Sequence, residues 1–189
     1  EAAIETAQSL VQKTRDPVAR TLRQLRLADI LLLAERRDES LSMLDTAFAT
    51  TGGDTWIEGD VLGRIERLFR MTDDIAGLEK HLSGLVTAHP QRVTLAWQHA
   101  LLLSATGQQQ EALKRARALL ATNPGRRDLR DEFLDLLDSL NQTQEAVVQA
   151  QLLISLNRDD KELLVRLATL QQRSKDNTAL AHISKAIDE

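Results

Sequence analysis

Residues Gln110-Glu111-Ala112-Leu113 return 34 positions later as Gln144-Glu145-Ala146-Val147, and Leu119-Leu120 return as Leu153-Ile154. Pro124 stands 34 residues after Pro90, and each follows a leucine-rich stretch, in Thr87-Ala88-His89-Pro90 and Ala121-Thr122-Asn123-Pro124. Arg158 occupies the third such position, within Asn157-Arg158-Asp159-Asp160. Proline lacks the N–H that a helix interior needs, so each of these prolines ends one helix and sets up the next. A fixed period of this length is the signature of one supersecondary unit stacked repeatedly.

Composition agrees with helix throughout. Of 189 residues 34 are Leu and 23 are Ala, against three Pro, eight Gly and 3% aromatics, and no strand pattern appears. The absence of cysteine excludes a disulfide scaffold, a Cys-ligated zinc site and a cysteine nucleophile. Apolar runs are a few residues long, far short of the roughly 20 that a membrane span requires. A net charge of -4 works against general nucleic-acid or anionic-membrane binding, both of which rest on a positive field.

The periodicity predicts helices over 2–14, 18–35, 38–50, 58–71, 74–88, 92–105, 109–121, 127–139, 143–156, 160–172 and 177–188. Residues that break or cap helices separate them: Arg37-Asp38, Gly52-Gly53-Asp54, Thr72-Asp73-Asp74, Thr106-Gly107, Asn141-Gln142 and Lys175-Asp176-Asn177. Thr50 to Gly59 is the one connection longer than the period requires, and Trp56 is expected to staple that loop to the helix below it.

A 34-residue unit of two helices and a short turn resembles the tetratricopeptide repeat (TPR). In the clearest unit, Val93 to Arg126, Gly107 stands at the turn, Ala100 and Ala112 at the small positions where the two helices approach, and Pro124 at the end. Arg127 to Asp160 keeps Leu137 and Ala146 but has Leu134 at the first small position. The unit from Lys161 matches with Ala168, Ala179 and Ala186. Thr21 to Gly52 fits with Ala28, Ser40, Leu44 and Ala47, whereas Gly59 to Arg92 departs, with Glu66 and Leu78 where small residues are expected. The large aromatics typical of the family are mostly replaced by Leu. The resemblance implies an all-α, right-handed α-solenoid of stacked antiparallel helical hairpins, with about 11 helices. Its units would be a half repeat over 1–17 and repeats over 18–54, 55–92, 93–126, 127–160 and 161–189.

No constellation for catalysis is present. His81, His89, His99 and His182 lack the i, i+4 partners of a helical metal site, and Glu79 and His81, two apart, point to different sides of a helix. Gly52-Gly53 lacks the flanking strand and Lys-Ser or Lys-Thr of a phosphate loop. The expectation is a chain that is not an enzyme and needs no cofactor or metal.

The informative constellation is acidic. Asp128, Asp131, Asp135 and Asp138 recur at spacings of three, four and three, which aligns them on one helix face opposite Leu129, Phe133, Leu134, Leu136 and Leu137. The resemblance implies that this face lines a concave groove. The preceding repeat would present Thr94, Trp97, Leu101 and Ser104 there, and the next Glu162, Val165, Thr169 and Gln172; the alternative for Trp97, an indole in a helix of Leu and Ala, is to fill the inter-repeat core. Such a groove suits a peptide or protein segment carrying Lys or Arg beside an apolar anchor. The competing reading is plain solvation, with Arg127 pairing to Asp131 and Arg130 reaching a neighbouring helix.

Two basic clusters, Arg20, Arg23 and Arg26 and then Arg64, Arg67 and Arg70, are interleaved with Asp16, Asp29, Asp60 and Glu66 and accompanied by no stacking aromatic. They read as helix salt bridges rather than a nucleic-acid site. The first helix resembles the second helix of a repeat, and no polar capping helix follows Glu189, so the expectation is a piece of a longer protein that could self-associate through solenoid ends. The sequence leaves the compartment open. It favours a protein-interaction module, with a structural spacer or assembly element of a larger protein as the alternative.

Overall fold

The computed structural model describes residues 1–156 and 160–188, and side chains as far as 175. Arg158, His182, Ala179, Ala186 and Glu189, to which the sequence assigns positions, therefore lie outside the described residues or side chains. Ten helices follow one another: α1 (Ala2–Lys13), α2 (Pro17–Leu33), α3 (Arg37–Thr50), α4 (Thr55–Arg70), α5 (Ile75–Ala88), α6 (Val93–Ala105), α7 (Gln109–Thr122), α8 (Arg127–Ser139), α9 (Thr143–Leu156) and α10 (Lys161–Asp188). No strand occurs among the described residues.

Local chemistry fixes the helix starts. Pro17 opens α2, where its missing N–H costs nothing, and the Asp16 carboxylate accepts from the Ala19 N–H at 2.6 Å. Asp54 caps α4 by accepting from the Trp56 and Ile57 N–H groups at 3.0 and 3.2 Å. Asp74 does the same for α5 through Gly77 at 2.8 Å.

The turns inside the hairpins are built alike. Glu35, Asp73, Gly107 and Asn141 all take positive φ, at 61°, 54°, 84° and 55°. The N–H of the following residue reaches back five positions, Arg36 to Leu31, Asp74 to Phe69, Gln108 to Leu103 and Gln142 to Leu137, at 2.8 to 3.1 Å. These are Schellman closures, which satisfy the last carbonyls of a helix and turn the chain sharply. From Asp73 to Gly107 and from Gly107 to Asn141 the closures recur at the 34-residue period, while Glu35 to Asp73 is four residues longer.

Those four residues do not form the long loop that the sequence suggests. They fall between Thr51 and Asp73, where α4 runs 16 residues against 13 each for α6 and α8. Trp56 accordingly sits in the first turn of α4 with 71% of its surface exposed, and it staples no loop. At the other end of the chain, one helix, α10, replaces the two expected over 160–172 and 177–188. No Gly or Pro occurs between Lys161 and Asp188, so nothing at Asp176-Asn177 forces a break.

The chain forms two compact units, Glu1–Leu102 and Leu103–Glu189. In the first, Leu25, Ala28, Leu44, Ala47, Phe48, Ile57, Val61, Ile65, Leu68 and Leu78 form one continuous buried cluster, with Ile4, Leu27 and Leu31 in a smaller one under α1. The hairpin α2–α3 closes tightly because Ser40 and Ala28 are small, and the buried Ser40 Oγ donates to the Ala28 carbonyl at 2.8 Å. In the second unit Ala112, Ala116, Ala146 and Ala150 are buried beside Leu113, Leu129, Phe133, Leu134, Leu137 and Leu153. Alanine at these positions lets helix axes approach, and leucine fills what remains.

Candidate functional site

The aspartates of α8 lie on its polar side as their spacing requires, away from the buried Leu129, Phe133, Leu134, Leu136 and Leu137. Every one of them meets an arginine. Arg126 grips Asp128 with two N–H groups, at 2.8 and 2.5 Å. Arg127 stands 3.5 Å from Asp131 and 3.1 Å from Asp160. Arg166 on α10 donates to Asp135 at 2.5 Å and reaches Asp138 at 3.5 Å, and Arg173 donates to Asp138 at 2.6 Å. The column of charge is thus also the seam that joins α8 to α10. On the other flank, Arg130 donates to Gln149 of α9 at 2.7 Å, so the expected reach to a neighbouring helix ends on an amide rather than a carboxylate.

Hydrogen bonding from Arg126 holds the Asp128 carboxyl below the usual carboxylate range, with help from the Leu129 N–H at the start of the helix. Pairing with Arg does not bury the column. The Asp135 side chain remains 68% exposed and those of Asp128 and Asp131 about half exposed, whereas Asp138, shared by two arginines, is more enclosed. On α10, Glu162, Val165 and Thr169 are exposed at spacings of three and four, and Val165 presents 67% of its surface. Glu162 has no ion-pair partner among the described residues.

Trp97, which the sequence places in the groove, is only 2% exposed, and its indole N–H is buried without a hydrogen-bond partner among the described residues. Its neighbours Leu95, His99 and Ala100 are buried as well, so α6 presents little polar stripe and its indole is core rather than contact surface. Leu101 is half-buried.

Most members of the two basic clusters are engaged locally. Arg64 bonds Asp29 and lies 3.2 Å from Asp60, Arg70 donates to Glu66 at 2.7 Å, Arg20 to the Thr14 carbonyl at 2.8 Å and Arg23 to the Leu10 carbonyl at 3.1 Å. Arg26 and Arg67 are the members of the two basic clusters without such a partner among the described residues. His81 meets Asp45 at 2.9 Å, and the fully buried His99 meets Glu79 at 3.3 Å. Among the described residues no group of three or more His, Asp or Glu side chains is placed to hold a metal ion, and no helix is long and apolar enough to cross a membrane.

Helical hairpins closed at a 34-residue interval have close counterparts among solved structures. A TPR protein from Parabacteroides merdae matches with a TM-score of 0.54 at 18% identity, over 99% of this chain and 72% of its own. A thermophilic TPR protein of Thermus thermophilus gives 0.54 at 18%, over 90% of each chain. YrrB, a TPR protein with an unusual peptide-binding site, gives 0.52 at 15%, over 98% of this chain and 92% of its own. The fold is that of the tetratricopeptide repeat. No protein-family model and no curated protein matches the sequence.

Within the TPR fold the α8 column was visible as a periodic pattern, and so was its Arg127–Asp131 pair, but the partners on α10 were not. Arg166 and Arg173 lie 31 and 35 residues beyond Asp135 and Asp138. Charges of opposite sign displaced by close to one repeat are the signal that pairs them.

Proposed function

We propose that the chain is a non-catalytic protein-interaction module that holds a peptide or protein segment against α8 and α10. The observation that supports this reading is the exposed Val165, aligned with Glu162, which has no ion-pair partner among the described residues, on a helix stapled to the still accessible Asp135. An exposed aliphatic side chain bordered by carboxylates suits a segment with an apolar contact and flanking Lys or Arg. Because Asp128, Asp131, Asp135 and Asp138 already pair with arginines, an incoming cation shares a carboxylate with a resident guanidinium. Charge therefore contributes to encounter rate more than to affinity, and Val165 and Glu162 carry the selectivity. Trp97 is left out of this surface.

A second reading, a spacer or assembly element without a groove ligand, draws on the same arginine seam, since charges that join α8 to α10 explain the column without a partner. Fluorescence anisotropy with labelled dodecapeptides of varied charge and apolar content separates the two. A peptide with two lysines flanking a leucine should bind, weaken as salt rises, and lose several-fold affinity for Glu162→Lys and for Val165→Ser, neither of which touches the seam. Absence of binding by any peptide to the folded protein favours the spacer.

A further inference from the structure

Between the end of α4 and α5 lies an open cavity of about 380 Å³, lined by Phe69, Gly77, Lys80, His81, Gly84 and Leu85. Its origin is in the sequence. One period later, Gly77, His81 and Gly84 are matched by Glu111, Arg115 and Ala118, and there Glu111 and Arg115 bridge each other at 2.8 Å. On α5 Gly84 leaves that space open, since a Cβ added there would meet nothing within 4 Å, while the space beside Gly77 is taken by the Asp74 carboxylate that caps the helix.

The floor is aromatic, and the edge carries two cations and two carboxylates. The largely buried Phe69 ring lies 5.5 Å from the His81 ring. The Arg37 guanidinium stands 5.3 Å from the Phe69 centroid. The nearby carboxylates are engaged: Asp45 with His81 Nε2 at 2.9 Å, and Asp74 as the cap that accepts from the Gly77 N–H at 2.8 Å. Lys80 lines the hollow and Arg37 lies against its Phe69 floor; neither has a carboxylate partner among the described residues, whereas both nearby carboxylates already accept a hydrogen bond, so the donors left for a ligand are those of the two cations.

We propose that this cavity is a recognition site for an acidic peptide segment of a partner protein, which seats one large apolar side chain over Phe69 and places its carboxylates at Arg37 and Lys80. The volume falls at the low end for ligand pockets, where one anchoring side chain suffices, and its few polar groups set orientation. The site is independent of the α8–α10 surface and has the opposite charge preference.

The test is amide NMR of the ¹⁵N-labelled protein titrated with an acetylated, amidated heptapeptide of one phenylalanine flanked on each side by two glutamates. The Gly77 and Gly84 resonances should shift and saturate. Gly84→Leu, which fills the hollow at a position with room for it, should weaken binding at least about tenfold, and Lys80→Glu several-fold, with both variants retaining the parent's circular dichroism. The same peptide with lysine for glutamate should leave the two glycines unmoved. Unshifted glycine resonances, or Gly84→Leu binding as well as the parent, would overturn the proposal. So would 3-phenylpropanoate binding as tightly as the heptapeptide, which would assign the hollow to a small free carboxylate.

Discussion

Replacing Arg92 with Met should be among the most damaging single changes in the first unit. Glu58 sits in α4 with a side chain 2% exposed, and Arg92, 12% exposed, donates to it at 3.1 Å. The second Glu58 oxygen, Oε1, is buried without a partner among the described residues, so this carboxylate depends on one guanidinium. Arg92 also donates to the Thr51 hydroxyl at 3.0 Å and lies 5.6 Å from the Phe48 ring centroid. Removing one member of a buried pair costs about 3–5 kcal/mol, chiefly because the surviving charge is stranded. The exposed pair Arg117–Glu145, although shorter at 2.6 Å, is worth only about 0.2–1 kcal/mol. Urea unfolding read by circular dichroism suits the comparison, since it reports on the helices of both units, Glu1–Leu102 with Arg92 and Leu103–Glu189 with Arg117. Arg92→Met should lose about 3–5 kcal/mol, or roughly 6–20 °C in Tm. Arg92→Met combined with Glu58→Leu should recover most of that loss, and Arg117→Met should lose less than about 1 kcal/mol. A loss for Arg92→Met no larger than for Arg117→Met, or a double variant as unstable as the single one, would mean that the buried Glu58 does not depend on Arg92.

Three further outcomes follow from the turns and the seam. Gly107→Ala places a Cβ on a residue at φ 84° and should destabilise by about 1–2 kcal/mol, while Glu35→Gly, at φ 61°, should stabilise by about 0.5–1 kcal/mol; thermal unfolding by circular dichroism reads both. The Asp128 carboxyl should titrate below an ordinary aspartate by NMR and return toward the ordinary value in Arg126→Ala. Its folded-state pKa is depressed, so the stability it lends is present above the unfolded-state pKa and fades as pH falls through the folded value; at this exposed pair it amounts to less than about 1 kcal/mol. Asp138→Asn removes the acceptor shared by Arg166 and Arg173 and should cost about 1 kcal/mol, seen as faster hydrogen exchange across the N-terminal half of α10.

The period in the sequence reached far into the fold because it is written twice, in the alanines that permit close helix approach and in the turn residues. The spans of α8 and α9 coincide with those predicted from the pattern. Where the pattern failed, the missing information was three-dimensional. Trp56 in a Gly-rich stretch looks like a loop anchor, yet Asp54 caps a helix that begins three residues earlier than Gly59's surroundings suggest. Asp176-Asn177 looks like a turn, but without Gly or Pro it does not end α10. Trp97 lies in a helix of Leu and Ala with no polar stripe to say which side faces out. The α8 column was legible from a spacing of three and four, whereas Arg166 and Arg173 belong to the next repeat and could be matched to it only by adding the period. The hollow on α5 comes from the side chain that Gly84 lacks, which a search for chemically active residues passes over.

The proposed partner-binding surface spans α8 and α10. Its most direct test is amide NMR of the labelled chain titrated with the leucine peptide flanked by lysines. The predicted result is a saturating set of shifts confined to Asp131, Asp135, Glu162, Val165 and Thr169, diminished by salt and lost in Val165→Ser. A titration that leaves those amides in place, or moves them equally in Val165→Ser, would contradict it.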